Sequence, residues 1–317
     1  MSFAPLFDER PPFDRDRLAA VLRELAAQRV LIGTSSWKYE GWLGQIYTRE
    51  RYLARGAFSK RRFGNECLGE YALTFPIVCG DFSFYQFPSA PYWKRLFGSA
   101  PSALQFAFKV PEQVTARVFP SQARYGARAG LPNASFLDPA LLVEQFLKPL
   151  APYGSQVAVL VFEFGTFSKQ SYSDAREFVV ELDRFLTALP GGFRYSVEIR
   201  NAEFLGPDYF ACLAAHRVAH VFNAWTRVPD LRSQIETPGA HTADFSVCRA
   251  LLRRGRSYED AVKLFSPYDD IKDPNPEGRQ AIRELIEWAR ENRQAAFIFV
   301  NNRFEGNAPR TIEAIVE

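Results

Sequence analysis

The chain is poor in the residues from which metal centres and nucleophilic sites are usually built. It holds 3 His and 4 Cys in 317 residues. Cys67, Cys79, Cys212 and Cys248 are scattered without a C-x-x-C pair, so neither a disulfide framework nor a zinc site is expected, and reduced thiols are. His216 and His220 straddle a helix-to-strand turn and His241 stands alone, so a His-rich zinc cluster cannot be assembled from them. A carboxylate-bound magnesium or manganese is not excluded, but no cofactor is expected. There is no G-x-S-x-G elbow and no P-loop, and no Gly-rich phosphate fingerprint follows the first strand. Sustained apolar runs are missing too. Phe3-Ala-Pro-Leu-Phe7 leads straight into Asp8-Glu9-Arg10, so a soluble cytoplasmic protein with no signal peptide and no membrane span is expected. The net charge of +3 is too small to mark a nucleic-acid protein by itself.

What the chain does have is apolar and aromatic bulk: 47% hydrophobic residues, with 29 Phe, 13 Tyr and 5 Trp. A Pro-rich lead over residues 1–12 precedes a helix from Asp14 to Gln28, with Leu18, Val21, Leu22 and Leu25 on one face. β-rich runs then alternate with helix-period segments. The strands are read as Val30–Trp37, Ile77–Tyr85, Gln105–Val110, Val157–Phe164, Arg194–Arg200, Ala219–Trp225, Phe245–Leu251 and Ala296–Asn302. Helices between them include Ser173–Leu189 and Glu277–Arg293, the latter opened by Pro276. Eight such alternations count out to a (β/α)8 TIM-type barrel over residues 30–310, in a single domain 1–317 with an N-terminal extension and extra helix. An open doubly wound sheet ranks second. Residues 38–62, 111–138, 226–244 and 252–276 form long strand-to-helix loops, which in a barrel share the C-terminal, ligand-binding face.

The strand ends carry the chemistry. In Arg194-Tyr-Ser-Val-Glu-Ile-Arg200, Tyr195, Val197 and Ile199 point to the helices, while Ser196, Glu198 and Arg200 point inward. Glu198 and Arg200 are then about 7 Å apart on one face, costly to bury without partners. Trp37, Asp81, Tyr85, Lys109, Glu163, Asn223, Trp225, Arg249, Asn301 and Asn302 end the other strands. Two readings compete. In one, Glu198 and Glu163 act as acid and base, Lys109, Arg200 and Arg249 hold an anion, the asparagines orient the substrate and the aromatics stack on it. In the other, the charges neutralise one another as a plug. Trp42 is read as packing the first long loop.

The loops of that face are basic, with Arg49, Arg51, Arg55, Lys60, Arg61 and Arg62 in the first and Arg117, Arg124 and Arg128 in the second. Arg253, Arg254 and Arg256 follow strand seven. Such a rim suits a small phosphorylated ligand or a nucleotide, acted on by a hydrolase or isomerase type of enzyme. A nucleic-acid or phosphometabolite binding protein without turnover is the alternative. A third reading is a metal-free sugar hydrolase or isomerase using Glu163 and Glu198. Oligomeric state is not read from the sequence.

Short motifs in a fixed order carry a resemblance. Gly33-Thr-Ser-Ser-Trp37, Trp42-x-Gly44-x-x-Tyr47, Asp81-x-Ser-Phe-Tyr85 with Pro88, and Phe106-x-Phe-Lys109 come first. Val197-Glu-x-Arg200 and Phe299-x-Asn-Asn302 with Gly306-x-Ala-Pro309 follow. Across about residues 30 to 310 the chain resembles the domain of unknown function 72 (YecE-like) family. The resemblance implies a TIM-type barrel with its site at the strand C-termini, likened at fold level to endonuclease IV and sugar-isomerase barrels, and no established reaction. It carries over Lys109, Glu198, Arg200, Arg249 and Asn301-Asn302. The chain departs from the pattern at Cys79 and Asp81, at Glu163-Phe-Gly165 and at Arg249-Ala-Leu-Leu252.

Overall fold

Alternating apolar strands and amphipathic helices close into a parallel eight-stranded barrel in the computed structural model, which describes residues 12–317. The Pro-rich lead lies almost entirely outside the described residues. In chain order the barrel strands are β1 (Val30–Thr34), β2 (Ile77–Gly80), β3 (Gln105–Lys109), β4 (Val157–Phe164), β5 (Tyr195–Ile199), β6 (Ala219–Ala224), β7 (Phe245–Ala250) and β8 (Ala295–Val300). Each pairs with its neighbour in sequence, and β8 closes on β1 through Val30↔Ala296 to Thr34↔Val300. β1 meets β2 at a single register pair, Thr34↔Val78. Gly33 allows that approach: a Cβ there would lie 1.8 Å from the Ile77 carbonyl oxygen.

The strands stop earlier than the sequence pattern suggests. Asp81–Phe84 is a 3-10 turn rather than the end of β2, and Asn302 opens a short helix, Asn302–Glu305. Apolar continuity misleads at these points because the residues stay buried or half-buried after the strand hydrogen bonding ends. Three of the long loops also hold helices, Glu112–Thr115 being the first. Asp230 caps Leu231–Ile235 and Ser257 caps Tyr258–Phe265, each side-chain oxygen taking a backbone N–H that a helix start leaves unpaired. The first long loop contains a two-residue hairpin, Leu53–Ala54 with Ala57–Phe58.

The interior follows the strand parity. Val159, Val161, Val221, Val247, Phe297 and Phe299 belong to the apolar cluster that fills the barrel. Tyr195, Val197 and Ile199 pack outward with the helices, among them the extra N-terminal helix Arg15–Ala27, which buries Leu18, Ala19 and Leu22. Above the apolar fill, at the C-terminal ends of the strands, the next inward layer is charged.

Candidate functional site

Glu163 is the hub of that layer. β4 is apolar except for Glu163 and is buried at every position, so this acid is almost cut off from water and must find cations. Three reach it. Lys109 Nζ is 2.9 Å from Oε2, Arg249 Nη1 is 2.7 Å from the same oxygen, and Arg200 Nη2 is 2.8 Å from Oε1. Glu198, Cα partner of Glu163 in the β4–β5 register, accepts from Arg249 Nη1 and, at 3.3 Å, from Arg200 Nε. Asp81 lies 3.4 Å from Arg249 and 3.8 Å from Lys109. The turn that carries Asp81 is tied down by Ser83, whose hydroxyl bonds the carbonyls of Gly80 and Lys109. Three carboxylates thus face three cations.

Burial grades the six. Glu198 is 0% exposed and Arg249 1%, whereas the side chain of Asp81 is 29% exposed and that of Arg200 15%. Desolvation pushes the Glu163 carboxyl upward, but Arg200, Lys109 and Arg249 together outweigh it and hold the group well below the usual carboxylate range. For Lys109, burial favours the neutral amine, yet Glu163 and Asp81 raise it above its ordinary value. Both stay charged at neutral pH. The layer is flanked by rings: Lys109 sits over Phe84 at 4.0 Å and Arg200 over Trp225 at 3.7 Å from the ring centroid. A hard divalent cation at Asp81, Glu163 and Glu198 would have to displace these ion pairs.

The remaining residues singled out in the sequence divide. Trp225 is half-buried at the mouth. Tyr85 is 56% exposed, with Arg124 stacked on it at 4.6 Å. Trp37 is buried edge-on against Phe82, and Trp42 is fully buried as the packing residue of its loop. Asn223 is buried beside Arg249, its Cα partner, with its Oδ1 and the Arg249 Nε both lacking a hydrogen-bond partner. Asn301 and Asn302 make contacts within the fold. Asn301 caps the helix that follows it, and Asn302 Oδ1 accepts from Trp42 Nε1 at 3.1 Å and from the Ala308 N–H at 2.8 Å.

Glu112 was not singled out from sequence. It is 6% exposed, accepts from the Tyr125 hydroxyl and from Arg124 at 3.3 Å, and desolvation raises its carboxyl against those partners. Its place two residues past the end of the strand read as Gln105–Val110 is the available signal.

The basic rim is less free than its composition implies. Arg51 pairs with Glu70, Lys60 with Glu40, Arg62 with Glu66, and Arg117 with Glu181. Arg253 and Arg256 share Asp273. Arg254 is exposed and forms no salt bridge among the described residues. It lines a cleft of about 910 Å³ beside the mouth, with Trp225, Arg253, Ser233 and the first turn of the helix Pro276–Glu291. Trp225 is the shared wall, carrying Arg200 on its ring. No described helix is long and apolar enough to cross a membrane.

Solved structures share this architecture. A DUF72 family protein from Thermotoga maritima matches with a TM-score of 0.58 at 19% identity, covering 90% of this chain and 97% of that one. One from Enterococcus faecalis matches with a TM-score of 0.58 at 15% identity, covering 90% and 95%. At such identities the likeness establishes the fold alone. No curated protein matches the chain. The family model described as "Protein of unknown function DUF72" matches residues 31–317, nearly the whole chain, and the protein is therefore a member of the DUF72 family.

Proposed function

We propose that the protein binds a small phosphorylated ligand at the C-terminal mouth of the barrel and performs acid–base chemistry on it. The observation that carries this reading is the junction at Trp225, where a cleft holding the exposed Arg254 adjoins a layer of ionised groups. The cleft lining holds Arg232, Arg253, Arg254 and Arg283 against Asp230 and Glu277. It follows β6 and β7, close to where barrels commonly hold phosphate. Arg254 supplies charge for the phosphate, and Trp225 presents an apolar face to the body of the ligand. Arg200 and Lys109 meet its reacting end.

Asp81 is the proton-exchanging group in this reading, being the one cluster carboxylate with substantial exposure and loose ion pairs. The buried Glu163, Glu198 and Arg249 hold Arg200 and Lys109 in place, a positioning role rather than the acid–base role expected of the two glutamates. Because most rim arginines are already paired, a compact ligand fits better than a nucleic-acid backbone.

A thermal-shift series with sugar phosphates, nucleoside monophosphates, inorganic phosphate and neutral sugars tests it. A ligand at 100 times its Kd adds about 2.7 kcal/mol of stability. Stabilisation by a phosphorylated compound, lost in both Arg254→Ala and Arg200→Ala, is the expected result. Turnover of that compound by the wild type, abolished in Asp81→Asn with binding retained, completes the test. A second reading, the ionic plug, is favoured by the equal count of acids and bases in the layer. It predicts no stabilisation by any phosphorylated compound.

A further inference from the structure

At the other end of the β5–β6 region, a group of side chains outside the mouth has donor atoms suited to a metal. Cys212 lies on the helix Pro207–Ala215, and His216 is the C-cap of that helix. Residues four apart on a helix share a face. The neighbouring helix, Ala175–Thr187, contributes Asp183. The thiol sulfur, an imidazole nitrogen and a carboxylate oxygen all lie within 4.8 Å of one another, with His216 Nε2 and Asp183 Oδ1 at 2.8 Å.

We infer that Asp183, Cys212 and His216 form a three-ligand site for a borderline divalent transition metal, zinc by preference. The donor set makes the choice: thiolate and imidazole favour zinc over magnesium or calcium, which take oxygen ligands. Bonds of roughly 2.0–2.3 Å require donors about 3.3–3.8 Å apart around a tetrahedral ion. The sulfur therefore draws in slightly, and the imidazole and carboxylate part to admit the metal between them. The sulfur gives up little, since its present contact is a 4.0 Å approach to the Val179 carbonyl. Asp183 and His216 reach solvent, at 55% and 20% side-chain exposure, so the ion has an entry path and water completes the fourth position. His216 stands in the turn that leads into the N-terminal end of β6, opposite the mouth. Bound metal would clamp the two helices that follow β4 and β5. The competing arrangement is a His–Asp hydrogen bond beside an inert buried thiol.

Titrating the chelator-treated full-length protein with Co²⁺ separates the two. The site predicts one equivalent bound with a thiolate-to-cobalt charge-transfer band and tetrahedral d–d absorption, both displaced by one equivalent of Zn²⁺. Cys212→Ser should abolish the charge-transfer band, and His216→Ala should weaken cobalt binding by more than about tenfold. Asp183→Asn, at an exposed position that leaves the fold intact, should also weaken binding and lower the rise in Tm that Zn²⁺ produces. No charge-transfer band at one equivalent, or a band that survives in Cys212→Ser, overturns the site. Unchanged zinc stabilisation in Asp183→Asn removes that residue from it and overturns the three-ligand assignment. This result is independent of phosphate binding at the mouth.

Discussion

Arg249 divides its guanidinium among Asp81, Glu163 and Glu198 while almost fully buried. Replacing it with Met keeps much of the volume but leaves Glu198 buried with only the 3.3 Å contact to Arg200. Breaking a buried pair in this way costs about 3–5 kcal/mol, so Arg249→Met should unfold at a clearly lower urea midpoint with the slope unchanged. Two other residues set the response to acid in separate windows. Burial lowers His220 from 6.5 to about 3, so its contribution is complete above pH 6.5 and is lost as pH falls toward 3. Glu163 is depressed below its ordinary 4.5, so its contribution is complete only above that value and is lost at lower pH. Tm measured against pH should therefore begin to fall near pH 6.5 in the wild type. In His220→Phe, which suits the surrounding rings of Tyr209, Phe210 and Phe222, the decline between pH 6.5 and 4.5 should become shallower, leaving the share of His241, which burial also lowers.

Among elements, the short helix Asn302–Glu305 is the tie between the first long loop and the chain's last helix, Ala308–Val316. Asn302 Oδ1 holds the Trp42 indole from one and the Ala308 N–H from the other. Asn302→Ala strands two buried donors, each costing about 1–3 kcal/mol. The expected outcome is a substantial loss of stability, read by denaturant unfolding, with ligand affinity in the folded protein unchanged. A Gly306 replacement would act on the same joint. Its φ of 123° is in the region that favours glycine, and a Cβ would lie 2.5 Å from the Asp270 carbonyl oxygen. Strand ends illustrate a related limit of sequence patterns. Asp81 reads as the continuation of β2, but Ser83 turns the chain and seats its hydroxyl on β3, a contact between segments that no local pattern contains.

For the molecule as a whole, Glu163 engages all three cations of the layer, so under the proposed function it would compete with a phosphate at the mouth. Glu163→Gln leaves that layer with one net positive charge. Phosphate affinity should then rise by on the order of tenfold, the effect of one unit charge at roughly 10 Å and an effective dielectric near 20. Titration calorimetry of wild type and variant checks this, and an unchanged or weaker affinity would place the phosphate away from the layer.

The sequence by itself determined the barrel, because eight apolar runs alternating with amphipathic helices have one common way to close. It also determined the charged layer, because strand parity sends Glu163, Glu198, Arg200 and Arg249 inward together. Tertiary structure decided which of those groups water reaches, and that the acids and bases are equal in number and mutually paired. It decided that Asn301 and Asn302 make contacts within the fold, and that acids distant in sequence, such as Glu70 and Glu181, neutralise much of the rim. It also brought Asp183 to Cys212 and His216, a meeting of two helices that spacing along the chain does not encode. Periodicity fixes the face on which a side chain lies, whereas partners and exposure depend on how separate segments pack.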